Sequence, residues 1–104
     1  RYMRILVLFD LPVKKKKERK AYTEFRRFLL KDGYDMLQYS IYARLCKGLD
    51  GVNKHIRRLE LNLPSEGSIR SIVVTDKQFG EMRILLGKRK PTERKGHEEQ
   101  LLFF

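Results

Sequence analysis

The sequence predicts an α+β sandwich with elements in the order β-α-β-β-α-β. Three observations carry that expectation. A run of bulky apolar residues, "ILVLF" at 5–9, is cut off by Asp10 and Pro12. Two later segments repeat apolar residues at helical spacing. The stretches 34–46 and 68–75 are rich in aromatic and β-branched residues bounded by turn-formers. At 104 residues with 41% hydrophobic content, the chain suits one domain with a modest core rather than a disordered polymer.

Residues 3–9 read as the first strand, with Ile5, Val7 and Phe9 on one face and Leu6 and Leu8 on the other. Both faces are apolar, so both are expected to be covered. Pro12 and the lysine run lead into a helix of about residues 15–32. Its buried stripe is Ala21, Tyr22, Phe25, Phe28 and Leu29, and Gly33 is placed to end it. The segment "YDMLQYSIYARLC" is long for one strand, and a tight reversal near Gln38 to Ser40 divides it into two. A second helix over about 50–63 is introduced by Gly48 and Asp50, turns Val52, Ile56, Leu59 and Leu63 inward, and stops at Pro64 and Gly67. "SIRSIVVT" at 68–75 is the next strand, "DKQFGEM" a short helical turn, and "RILLG" at 83–87 a further short strand.

This order is the split βαβ, or ferredoxin-like, arrangement with both helices on one face of a four-stranded antiparallel sheet. Residues 1–86 form that domain, and 87–104 add a basic loop and a C-terminal strand extension. Leu6 and Leu8 then leave an apolar patch on the uncovered face, which marks an interface. A second copy packed sheet against sheet about a two-fold axis covers it, so a homodimer is expected. The terminal Leu101, Leu102, Phe103 and Phe104 are expected to dock as an edge strand on the partner subunit or on another protein.

Lys and Arg number 24 against 13 Asp and Glu, a net charge of +11. Such a surplus opposes compaction by self-repulsion and calls for a polyanionic partner. Between Lys14 and Lys31, nine basic residues meet two acidic ones, Glu18 and Glu24. Lys14, Lys15, Lys16, Lys17, Arg19, Lys20, Arg26 and Arg27 form a one-signed ridge, joined by Lys54, Arg57 and Arg58 of the second helix. A merely solvated face would be served as well by mixed charge. The pattern suits phosphates rather than base edges, and no RNA-recognition motif or exposed aromatic platform is evident, so sequence-tolerant duplex binding is expected.

Asp10 is either a turn-former before Leu11 and Pro12 or a ligand. One carboxylate makes a poor divalent site. A two-fold axis bringing two copies of Asp10 together changes this, because the pair repels unless a cation or proton lies between. Other groups read as structural. Asp35 and Asp76 are turn residues, His55 and His97 surface residues, and Cys46 is packed. Ser40 and Ser71 have no identifiable base. The single cysteine favours a reducing cytoplasm. The apolar run Ile5–Phe9 is far too short to span a bilayer, so no membrane partner is expected.

The segments "MRILVLFDLP", "ERKAYTEFRRFLLKDGYDMLQYSIYARL" and "SIRSIVVTDKQF" resemble the CRISPR-associated protein 2 family along almost the whole chain. "GYDMLQYSIYARL" is similar to that family's Gly-…-Gln-x-Ser-Val/Ile-Phe/Tyr block, and "TDKQF" looks like the branch found beside the dual-RNA-guided effector nuclease. The resemblance implies a ferredoxin-like homodimer that bridges two dimers of the CRISPR integrase while foreign DNA is held across it for spacer acquisition. It implies that Lys14 to Lys20 face the duplex and that the C-terminal strand docks the integrase. It also implies that Asp10 is where members bind Mg²⁺ between subunits and, in some, cleave RNA or DNA. Three readings therefore stand: a DNA-holding adaptation subunit, a Mg²⁺-dependent endonuclease, and a basic ribosomal or RNA-binding protein of the same fold.

Overall fold

The computed structural model describes residues 1–89 as β1 (Tyr2–Asp10), α1 (Lys16–Lys31), β2 (Asp35–Gln38), β3 (Ile41–Lys47), α2 (Gly48–Glu60), β4 (Ser68–Thr75) and α3 (Asp76–Gly80). The strands make one antiparallel sheet in the order β2-β3-β1-β4, as the ferredoxin-like arrangement requires. Ile5 and Val7 are fully buried, and with Phe9 they pack on Phe25 and Leu29 of α1 and Val52 and Leu59 of α2. Phe9 meets Phe25 edge-on at 5.2 Å and stacks on Tyr42 at 5.6 Å. Each such side chain contributes about 1.5–3 kcal/mol by leaving water.

Local chemistry sets the ends of these elements. Glu18 Oε1 accepts the Lys15 backbone N–H at 2.8 Å and so closes the start of α1. At its other end Gly33 has φ +94°, and the Gly33 and Tyr34 amides donate back to Leu30 and Leu29. Arg44 Nε donates to the Asp32 carbonyl there, and a side chain at position 33 would press on that guanidinium at 3.2 Å. The reversal between β2 and β3 is Tyr39–Ser40, where it was expected, with Ser40 at φ +66°.

Long-range partners overturn several sequence expectations. Helix α2 ends at Glu60, so Leu63 lies beyond it and is half exposed, while His55 joins the inward stripe between Val52 and Leu59. His55 is therefore an interior residue, its Nδ1 3.0 Å from Asp32 Oδ2, and not a surface one. Asp76 is buried rather than a turn residue: its Oδ1 accepts from Arg4 Nε at 2.9 Å, and the Arg4 guanidinium lies 4.5 Å above the Phe79 ring. Arg4 shares a face of β1 with Leu6 and Leu8, so α3 closes one end of that face. Asp35 opens β2 instead of a turn. Residues 83–87 form no strand, and Leu85 and Leu86 are almost wholly exposed. The run follows α3 as coil, and the sheet of the described residues has four strands, none of them from this segment. The expected docking strand, with Leu101, Leu102, Phe103 and Phe104, and His97 all lie outside the described residues.

Two predictions follow from this packing. Gly67 has φ +105°, and a Cβ there would sit 2.5 Å from Leu11 Cδ2 and 2.9 Å from the Asp10 carbonyl oxygen. Gly67→Ala is expected to cost about 1–3 kcal/mol, read as a lower urea midpoint at unchanged slope; an unchanged midpoint would show that the turn does not press on Asp10. Burial, with the Asp32 charge adding to it, pushes the Tyr34 phenol well above its ordinary range, and its hydroxyl has no hydrogen-bond partner among the described residues. Tyr34→Phe is expected to be neutral or stabilising by about 1 kcal/mol. In the parent chain the unfolded phenol ionises at about pH 10 and the folded one above it, so Tyr34 leaves stability unaffected by pH below about pH 10 and lowers it as pH rises further. The variant should lack that share of alkaline destabilisation when denaturation midpoints are compared on either side of it.

Candidate nucleic-acid interface

β1 ends at the edge of a positively charged surface. Asp10 is exposed and pairs in register with Ser68 of β4. On its other side the Phe9 amide donates to the Ser40 carbonyl at 3.0 Å. That bond ties the Tyr39–Ser40 turn to the end of β1, one residue past the Leu8–Ile41 pair. Three neighbouring chain segments thus present Tyr39, Asp10 and Ser68 at one end of the sheet. Leu11 is buried and anchors the exit of the strand, and the Gly67 turn packs against it.

The basic turn that follows is braced from within. Arg19 Nη1 donates to the carbonyls of Val13 at 3.2 Å and Lys14 at 2.6 Å. Arg19 was expected only as a phosphate contact; here part of its guanidinium holds Val13 and Lys14 in place. Lys14, Lys15, Lys16, Lys17, Arg19, Lys20, Arg26 and Arg27 are all exposed. They follow α1 for its 16 residues, about 24 Å. A shallow groove of about 390 Å³ runs between Lys16, Arg19, Lys20, Thr23, Glu24 and Arg27, four cations against one carboxylate. Arg58 differs from the ridge: its Nη2 is 2.6 Å from Asp32 Oδ1, which commits it to the α1–α2 contact. The larger cleft, about 510 Å³ between α1 and Asn62–Pro64, does not reach Asp10.

The second face of the sheet remains partly open. Leu6 is half-buried, Leu8 is 37% exposed, and Ile72, opposite Leu6 on β4, is 54% exposed. Asp10 lies on this same face, two and four residues beyond Leu8 and Leu6. The sequence reading missed Ile72 because only the β1–β4 register shows that it extends the patch. It also missed Asp32, a polar residue after a helix that becomes the hub joining His55, Arg58 and the two helices.

Among the described residues, no three His, Cys, Asp or Glu side chains cluster as a metal site. Asp10 supplies one exposed carboxylate, with the Ser68 hydroxyl its register neighbour. An all-oxygen set of this size suits a hard cation whose remaining ligands are water, phosphate or a second carboxylate. Cys46 is buried in the core, and burial pushes its thiol up, away from nucleophilic behaviour. No helix among the described residues is long and apolar enough to cross a membrane.

A family model for CRISPR associated protein Cas2 matches residues 3–82. A protein of Acidovorax ebreus (strain TPSY) is 54% identical over 102 residues, covering 98% of this chain and 100% of its own. A protein of Flavobacterium psychrophilum is 46% identical over 100 residues, covering 96% and 86%. One of Campylobacter jejuni is 42% identical over 104 residues, covering 100% and 73%. All three carry the name CRISPR-associated endoribonuclease Cas2.

Proposed function

The chain belongs to the CRISPR-associated Cas2 family, and on that premise we propose that it is a duplex-holding adaptation subunit. The observation that carries this reading is the exposed one-signed ridge from Lys14 to Arg27, braced by Arg19 and running the length of α1. Two copies pack through the Leu6, Leu8 and Ile72 faces, and their ridges together form one cradle for duplex DNA. The dimer so formed bridges integrase dimers for integration of new spacers. Family membership removes the motive for the ribosomal reading, while RNA stays in play as a second polyanion.

A second reading is favoured by Asp10 and by the name its relatives carry: a metal-dependent endonuclease acting on RNA or DNA phosphodiesters. Asp10 of each copy would hold Mg²⁺ between the subunits. A bound Mg²⁺ supplies polarisation of a phosphoryl oxygen and a more acidic water. The contribution of the chain's own residues is positional. Lys14 to Lys17 hold the phosphates near the strand end, and the Gly67 turn keeps Asp10 at the sheet end.

Each reading carries its own test. Neutralising about six phosphates per dimer gives a log K against log salt slope of roughly −5. Lys16→Ala or Lys20→Ala should each make that slope shallower by about 2, because both copies of the dimer lose a cation. A slope near zero in the parent protein would remove the electrostatic basis of the cradle, and failure of the purified protein to capture the integrase of its own system would remove the bridging role. For the second reading, Asp10→Ala is expected to abolish Mg²⁺-dependent cleavage while duplex affinity stays within about twofold, because Asp10 belongs to none of the phosphate-binding cations. Cleavage that survives the substitution would end the nuclease assignment at this residue.

A further inference from the structure

Among the residues of β4, Arg70 alone is charged. The β1–β4 register sets Leu8 opposite Arg70 and Asp10 opposite Ser68. Opposite residues share a face, so Arg70, Ser68, Leu8 and Asp10 stand together on the side of the sheet away from α1. Arg70 and Asp10 are diagonal neighbours in that ladder, roughly 7–8 Å apart and within reach of a long side chain. Both are exposed, and neither forms an ion pair with another described residue. Arg4, the other arginine that the sheet turns to this side, is committed to Asp76.

β4 is an edge strand, and a charge on an edge strand discourages pairing with other chains. That need fixes neither the sign of the charge nor its place in the row next to Asp10. The surroundings call for an anion. Arg70 has Leu8 across from it and Ile72 two residues along on the same face, the patch that the proposed dimer covers. A guanidinium shut in there without a counter-charge is destabilising. Asp35, another carboxylate on this face, is three strands away on β2. Asp10 answers the charge only while no cation holds it. With Asp10 engaged on Mg²⁺, the anion at this end comes from outside, and a guanidinium fork suits a phosphate. We propose that Arg70 is the phosphate-positioning residue of the Asp10 site, holding a non-bridging oxygen of a nucleic-acid phosphodiester next to the carboxylate. Ser68 adds a hydroxyl donor on the same face. This inference rests on the metal-dependent reading above and deepens it: the ridge on α1 holds a duplex by charge alone, whereas Arg70 fixes one phosphate at one position.

The probe is a trinucleotide, too short to follow the ridge, titrated with Ca²⁺ in place of Mg²⁺ so that it stays uncut. Arg70→Gln is expected to weaken its Ca²⁺-dependent binding by roughly 10- to 100-fold, with dimer mass in sedimentation and the salt slope for long duplex unchanged. Arg70→Lys should recover part of the loss, since an ammonium keeps the charge but not the fork. In an Asp10→Ala background the effect of Arg70→Gln should shrink to within about twofold, because both residues act on one phosphate. Unchanged trinucleotide affinity in Arg70→Gln, where the parent's binding needs both Ca²⁺ and Asp10, overturns the role of Arg70 and leaves the metal reading standing. A parent with no Asp10-dependent binding overturns the metal reading, and the role of Arg70 with it. Precipitation or altered mass of Arg70→Gln that Arg70→Glu reverses assigns the residue to guarding the edge strand and overturns the proposal.

Discussion

β1 lies between β3 and β4 and has ladder partners along its length, so its alternation decides which side of the sheet every other group occupies. Its odd-numbered residues Ile5, Val7 and Phe9 are sealed beneath α1 and α2. Its even-numbered residues Arg4, Leu6, Leu8 and Asp10 share the opposite face. One end of that face is closed by α3 through Arg4, Asp76 and Phe79; the other opens at Leu8 and Asp10. A carboxylate and an apolar patch are thereby placed in line on one surface. Any second copy that covers the patch is brought up to the carboxylate by the pleat itself, and this links the proposed dimer to the proposed metal position.

The distribution of charge reinforces the same polarity. Two acidic side chains are turned inward, Asp32 toward His55 and Arg58, and Asp76 toward Arg4. Their negative charge is consumed by interior or half-buried cations. Glu18, one of the two acidic residues opposing the ridge, has an oxygen engaged on the Lys15 amide. The exterior along α1 is therefore more one-sided than composition alone conveys. Buried pairs of this kind carry a desolvation penalty that Coulomb attraction only partly offsets; what they add is a defined angle between the helices and the sheet. The exposed ridge acts at longer range, over the ~8 Å that physiological salt leaves unscreened.

Most of the fold was legible from local pattern. The two-sided apolar strand at 3–9, the stripe of Tyr22, Phe25, Phe28 and Leu29, the end of α1 at Gly33 and the reversal at Tyr39–Ser40 all lie where hydrophobic period or turn chemistry put them. Legibility failed where a residue's role depends on a distant partner. His55 reads as a polar residue on a basic helix until Asp32, 23 residues away, is set against it. Asp76 reads as a turn-former until Arg4, 72 residues away, is paired with it. "RILLG" has strand composition, yet composition cannot provide a neighbouring ladder.

The candidate site divides along the same line. Asp10 and the eight cations of the ridge are plain in the linear chain, because a break from apolar to charged residues and a one-signed run are properties of neighbours in sequence. Their arrangement is not. Ser68 reaches Asp10 through a strand register that joins a segment 58 positions away along the chain, and Arg19 acquires its second role by folding back on Val13 and Lys14. Periodicity and charge are written residue by residue; proximity across a sheet is created when burial of Ile5, Val7 and Phe9 brings the strands together, and there the chemistry of this surface is decided.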